Sequence, residues 1–177
     1  MIPLEKLGNR ICIIGPSSSG KSTLAMKLGN KLEIEVFHLD QLAHYPNTNW
    51  KRRNDDDLRA DHDVIIENRE SWIIEGNYSF LMQKRFTKAT SIIWLDMKPH
   101  ETLIRYLKRS FVNSSDRPGN LKGATGQFSW EIIHYTVFQA PKNRQRYKMF
   151  IEESDAALVH ITSFRMLKMY YRNWNLF

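Results

Sequence analysis

Residues 15 to 23 read Gly15-Pro16-Ser17-Ser18-Ser19-Gly20-Lys21-Ser22-Thr23. Every fixed position of the eight-residue phosphate-loop pattern, two glycines bracketing four residues and then Lys and Ser, is present. The run Ile11-Cys12-Ile13-Ile14 ahead of it reads as a buried strand, and Leu24, Leu28 and Leu32 behind it recur as one face of a helix requires. The order strand, tight turn, helix is the context this motif demands, and it binds the chain to an architecture that can deliver all three in sequence.

The residue types follow from the chemistry of a triphosphate. A turn whose N–H groups point inward, continued by a helix N-terminus, offers several donors and the positive end of a dipole to the same anion. Gly15 and Gly20 allow backbone conformations closed to larger residues and a close approach to phosphate. Lys21 reaches the outer phosphates as a point charge, and the Ser22 hydroxyl is placed to ligate a bridging magnesium ion. A nucleoside triphosphate, ATP with Mg2+, is therefore the expected cofactor, held by Gly15 through Thr23.

The chain has 177 residues, 42% of them hydrophobic, enough for one substantial core and too few for two ordinary domains. Its single cysteine, Cys12, lies inside the first apolar run, where burial as a small hydrophobe is expected. One thiol forms no internal disulfide, which fits a reducing, cytoplasmic setting. No apolar stretch is long enough to span a bilayer, and Met1 to Gly15 lacks a basic segment followed by a long apolar one; no membrane association is expected. The net charge is +7, and between Lys98 and Lys148 ten Lys or Arg face three acids. Such a segment can face a nucleic-acid backbone, wrap the phosphates of a bound nucleotide, or form an ordinary solvated face.

Further along, Glu35 to Asp40, Trp72 to Glu75, Ser91 to Asp96 and Ala156 to Ile161 read as four more strands. Between them Asp55 or Asp56 is placed to cap a helix carrying Leu58, Ile65 and Ile66, and Pro99 opens one with Leu103, Ile104, Leu107 and Phe111 inward. Ser129 to about Ile151 reads as helical with a kink or break at Pro141, and Phe164 to Trp174 as a closing helix. Strands alternating with helices imply an α/β fold with a five-stranded parallel sheet covered on both faces. The loop from Asn113 to Gln127, with three glycines and Pro118, reads as an inserted lid. Ligands of such sheets bind beyond the carboxyl ends of the strands. That rule directs attention to Asp40, Glu75 and Asp96, each an acid at an expected strand end. One carboxylate would help hold magnesium and another would orient or deprotonate an acceptor hydroxyl.

The phosphate loop, His38-Leu39-Asp40, Trp72-Ile73-Ile74-Glu75-Gly76-Asn77-Tyr78-Ser79 and Ile92-Ile93-Trp94-Leu95-Asp96 together resemble the adenylate-kinase-like proteins called DNA topology modulation proteins. The resemblance runs from about Asn9 to Trp174. It implies a three-layer P-loop sandwich in a single domain over residues 1–177, with an acceptor-binding arm at about 41–70 and a lid at about 113–128, and a small-molecule or nucleotide kinase activity. It also implies that Lys21 is the transition-state cation and that Ser22 and Glu75 lie at the metal, although Glu75 stands where the family commonly has Asp. Arg105 and Arg109, four apart on one helix face, resemble paired arginines at a lid base; Arg117 in the loop could close over the phosphates, and Arg109 would also touch the nucleotide.

For the acceptor, Arg52 and Arg53 are candidate phosphate clamps, because guanidinium offers a bidentate fork. Asp40, Glu75, Asn77 and Tyr78 are candidates to line its pocket, and Tyr45 and Trp50 to stack on a base. The lid carries no Cys and His in metal-ligand spacing, so no structural zinc is expected. The sequence therefore points to a kinase that moves the terminal phosphoryl group of ATP to a small acceptor. The alternative is a nucleotide-binding regulator that contacts DNA through residues 98–148 and transfers nothing. Oligomeric state is left open by the sequence.

Overall fold

The computed structural model describes residues 1–48, 50–110, 119 and 140–177, with residues 109, 110, 140 and 141 described by backbone alone. Five strands, β1 (Arg10–Ile14), β2 (Val36–His38), β3 (Trp72–Glu75), β4 (Ser91–Leu95) and β5 (Ala157–Ile161), form one sheet in the order β2-β3-β1-β4-β5. Every neighbouring pair is parallel. The helices are α1 (Lys21–Leu32), α2 (Leu39–Leu42), α3 (Asp55–Asn68), α4 (Ser79–Lys88), α5 (Pro99–Ser110), α6 (Ala140–Glu152) and α7 (Phe164–Asn173). The P-loop α/β sandwich expected from the sequence is what the chain builds. The lid at 113–128 falls outside the described residues apart from Gly119.

Alternation along the strands divides the core in two. Ile11, Ile13, Ile73, Ile93, Leu95 and Val159 face one side, where they meet Leu24 and Leu28 of α1 and Leu167 and Tyr170 of α7. Cys12, Ile14, Trp72, Ile74, Ile92 and Trp94 face the other, against Leu58 and Ile66 of α3, Leu81 and Phe86 of α4 and Tyr147 of α6. Strands buried on both faces have no polar alternation, which is why Ile11–Ile14 of β1, Trp72–Ile74 of β3 and Ile92–Leu95 of β4 read as unbroken apolar runs. Each fully buried Leu or Ile side chain contributes roughly 1.5–3 kcal/mol. Together the two layers fix the sheet rigidly beneath whatever sits at its carboxyl edge.

Four local expectations change. The second strand stops at His38, so Asp40 lies one residue into the short helix α2 instead of ending a strand. The cap of α3 is Asn54, whose side chain accepts from the Asp56 N–H; Asp55 and Asp56 stand inside the first turn, where acids suit the positive end of the helix. Pro141 sits in the first turn of α6 and opens that helix instead of kinking one, since its missing N–H has no intrahelical acceptor there. The expected start at Ser129 lies outside the described residues. Finally, α4 occupies a stretch to which the sequence assigned no element.

Candidate active site

The loop after β1 lies at the centre of the sheet between β3 and β4, where the chain leaves β1 toward β2 on one side and β4 toward β5 on the other. This is the position at which open parallel sheets bind ligands. Gly15 has φ 149°, and a Cβ there would stand 2.5 Å from the Leu95 carbonyl oxygen; only glycine lets the chain pass so close to β4. Gly20, at φ 102°, turns the backbone into α1. The Gly15 N–H donates to Asn77 Oδ1 at 3.0 Å, tying the loop to the turn after β3. Ser18 Oγ and Ser19 Oγ are buried and have no hydrogen-bond partner among the described residues. Buried hydroxyls are normally satisfied, and two orphans inside one loop suit a loop built around an anion.

Lys21 Nζ donates to the Pro16 carbonyl at 3.0 Å, folded back across its own loop. Ser22 Oγ donates to Glu75 Oε1 at 3.0 Å, and His38 Nδ1 lies 2.7 Å from the same oxygen. An ionised carboxylate only accepts, so the His38 proton is on Nδ1. The register explains the meeting: Glu75 pairs with Ile13 on one side and His38 on the other, at the last rung of three adjacent strands. Burial alone would raise the Glu75 pKa, but the His38 hydrogen bond, the Lys21 charge and the Ser22 hydroxyl outweigh it and hold the carboxyl below its ordinary range. A serine hydroxyl beside an ionised carboxylate is a hard-oxygen pair of the kind magnesium uses, with its remaining positions filled by water and phosphate. The two residues named for the metal from sequence therefore fit it chemically. Among the described residues no group of three or more His, Cys, Asp or Glu could hold a metal ion.

The other candidates divide. Arg105 reaches the loop, with Nε donating to the Ser18 carbonyl at 3.2 Å and its guanidinium 4.3 Å from the centre of the Phe164 ring. Arg109 is on α5, backbone only, and Arg117 lies outside the described residues. Asp40 Oδ1 accepts from the Tyr78 hydroxyl at 2.8 Å, so α2 still delivers this acid to the rim. Tyr78 holds φ 29° at the start of α4, a conformation a bulky residue rarely adopts. Arg52 and Arg53 are engaged locally: Arg52 with Asp55 at 2.5 Å and over the Tyr78 ring, Arg53 with Asp61 and the Leu42 carbonyl. Trp50 packs edge-on against His44, while Tyr45 is exposed.

The sequence did not foresee what surrounds Asp96. Its Oδ2 accepts from Arg144 Nη2 at 2.5 Å and lies 2.9 Å from His160 Nε2, while the His160 ring stacks on Trp94. Asp96 stands just past the end of β4, Arg144 on α6 and His160 on β5. Beside them opens a cavity of about 290 Å³ bounded by Gly15, Pro16, Asn77, Asp96, Lys98 and Arg144. Arg144 thus lines the cavity together with Gly15 and Pro16 of the phosphate loop. The partners are 48 and 64 residues apart, a separation no local motif spans. Thr162 also lines the cavity, and Ser163 caps α7 by accepting from the Met166 N–H.

No family model matches the chain. Two curated tRNA dimethylallyltransferases, from strains of Helicobacter pylori, are 46% identical over 39 residues, a stretch covering 22% of this chain and 12% of each enzyme. The chain thus matches a small fraction of those enzymes' length. Solved structures match far more of it. A shikimate kinase from Acinetobacter baumannii in complex with shikimate aligns over 96% of both chains at a TM-score of 0.55 and 12% identity. Deoxyadenosine kinase from M. mycoides with bound dATP aligns over 93% of this chain and 98% of its own at 0.52 and 12%. A sugar kinase from Janibacter sp. HTCC2649 aligns over 95% of each at 0.51 and 14%. The fold is that of P-loop kinases.

Proposed function

We propose that the chain is an ATP-dependent kinase that transfers the terminal phosphoryl group to a small hydroxyl-bearing or nucleotide acceptor. One observation carries the reading: the Ser22, Glu75 and His38 cluster and a cavity of about 290 Å³ lie on two sides of the same complete phosphate loop. One side suits the metal and the outer phosphates, the other a second substrate. The kinase folds it shares support this by likeness.

In this reading the loop amides and the α1 N-terminus bind the phosphates, and Lys21 leaves the Pro16 carbonyl to meet them. Ser22 and Glu75 would hold magnesium, which supplies charge neutralisation at the outer phosphates. Arg105 and Arg144 add cations from α5 and α6, joined by Arg109 and by Arg117 of the lid. The acceptor oxygen attacks the terminal phosphorus as the bond to the bridging oxygen of ADP breaks. A rim carboxylate takes the hydroxyl proton: Asp40, which accepts from the Tyr78 hydroxyl, for an acceptor on the β2 side, and Asp96 for one in the cavity that it lines. Catalysis is positioning plus electrostatic stabilisation in a site shielded from water.

The test is ATP consumption with magnesium across nucleoside monophosphates, nucleosides and small hydroxylated metabolites, with Lys21→Ala as control. The expected outcome is turnover stimulated by one acceptor class and reduced at least about 100-fold in the variant. Substantial residual turnover in Lys21→Ala would sink the assignment. ATP binding without stimulated turnover, alongside DNA affinity that falls steeply with salt, would transfer it to the DNA-contacting regulator.

A further inference from the structure

On α4, among Leu81, Met82 and Phe86, stands Arg85, a guanidinium fully buried beneath the candidate site. Its Nη2 donates to the Gly76 carbonyl at 2.9 Å and the Asn77 carbonyl at 3.2 Å. Among the described residues its Nε and Nη1 meet no nitrogen or oxygen acceptor; the Cys12 thiol is the hydrogen-bonding side chain beside it, and the guanidinium lies 5.7 Å from the centre of the Phe86 ring. The neighbouring Cys12 brings no neutralising charge, since burial pushes its thiol up to about 12 against the opposing pull of Arg85. The carboxylate of Glu75 attracts the guanidinium, yet it is hydrogen-bonded to His38 and Ser22. A buried cation whose donors face a neutral thiol instead of a carboxylate is costly, and an apolar residue would complete the α4 stripe better.

The bridged carbonyls show what Arg85 acts on. Gly76, at φ 129°, and Asn77 form the turn between β3 and α4, and Asn77 Oδ1 is the acceptor for the first amide of the phosphate loop. Because that amide requires an acceptor, the Asn77 oxygen faces Gly15 and its NH₂ group is left as a donor at the cavity that Asn77 lines. We propose that Arg85 is a positioning residue of the anion site: it locks the Gly76–Asn77 turn so that Asn77 holds the loop at Gly15 and aims its amide at a phosphoryl oxygen, while the buried guanidinium lends positive charge to the floor beneath. The proposal rests on the reading of residues 15 to 23 as a phosphate site, and it does not require that phosphoryl transfer occurs.

The measurement is calorimetric binding of inorganic tripolyphosphate and of a non-hydrolysable ATP analogue with magnesium, for wild type, Arg85→Met, Asn77→Ala and the double variant, with Tm recorded for each. Each single change is expected to weaken tripolyphosphate about tenfold, and the double variant no more than the worse single, because one residue works through the other. Arg85→Lys keeps the charge and loses the two-carbonyl bridge; it is expected to retain the fold and weaken binding about threefold, which keeps the test open should Arg85→Met fail to fold. Losses that multiply to about a hundredfold in the double variant, or an Arg85→Lys protein that binds like wild type, would overturn the proposal. Wild-type binding without acceptor-stimulated ATP turnover would count against the kinase alone. A wild type that binds neither probe would end both readings.

Discussion

At the scale of single residues, charge and space at the loop make separable predictions. Glu75→Gln keeps an oxygen to accept from His38 and Ser22 and removes the negative charge beside the nucleotide's metal. We expect kcat/KM to fall about 100-fold, or roughly 3 kcal/mol of transition-state stabilisation, with the magnesium requirement raised and Tm little changed. An unaltered magnesium titration would show that Glu75 acts only as a structural acceptor for His38. Gly15→Ala tests space instead of charge. Its Cβ would lie 2.5 Å from the Leu95 carbonyl oxygen at φ 149°, and neither backbone can yield without parting β1 from β4. A loss of roughly 3 kcal/mol in denaturant unfolding and of measurable nucleotide binding is expected; a variant as stable as wild type would mean that the loop can be rebuilt locally.

At the scale of elements, the cap of α3 is the simplest quantity to check. Asn54→Ala removes the side-chain acceptor for the Asp56 N–H and should cost about 1 kcal/mol, lowering Tm by roughly 2–4 °C. Asn54→Asp should leave Tm almost unchanged, and equal losses in both would assign the effect to the turn instead of the cap. Which elements the sequence announced follows from where their partners lie. The phosphate loop carries its determinants in nine adjacent residues, and β1, β3 and β4 are apolar apart from Arg10, Glu75 and Ser91 at their ends because both faces are buried. The α4 helix passed unread because an arginine occupies one of its core positions, interrupting the apolar stripe of Leu81, Met82 and Phe86. The local pairing of Arg52 with Asp55, three residues on, was open to a sequence reading and argues against a free phosphate clamp. The joining of Asp96, Arg144 and His160 was not, since only the sheet order and the return of the chain through α6 create it.

At the scale of the whole molecule, acid should unfold this chain earlier than its surface carboxylates alone would. His62 is fully buried on α3, with Nδ1 3.0 Å from Asp63 Oδ1 and Nε2 without a hydrogen-bond partner among the described residues. Burial, reinforced by the nearby Arg85 charge, pushes its pKa down to about 4, against 6.5 for the ordinary side chain. Below 6.5 the unfolded chain therefore takes up a proton that the native state refuses, and stability falls as pH drops through the interval from 6.5 to about 4. Glu75 adds to this at lower pH: its folded pKa is depressed, so the stability it contributes above its unfolded value disappears as the carboxylate protonates. The two windows follow one another, so stability has no compensating rise on the acid side. Urea unfolding at pH 7 and pH 5 should show wild type losing about 2 kcal/mol. His62→Gln, which cannot take up the proton, should start less stable at pH 7 and lose markedly less over the same interval. Parallel losses in the two proteins would remove His62 from the explanation and leave the carboxylates to account for the whole slope.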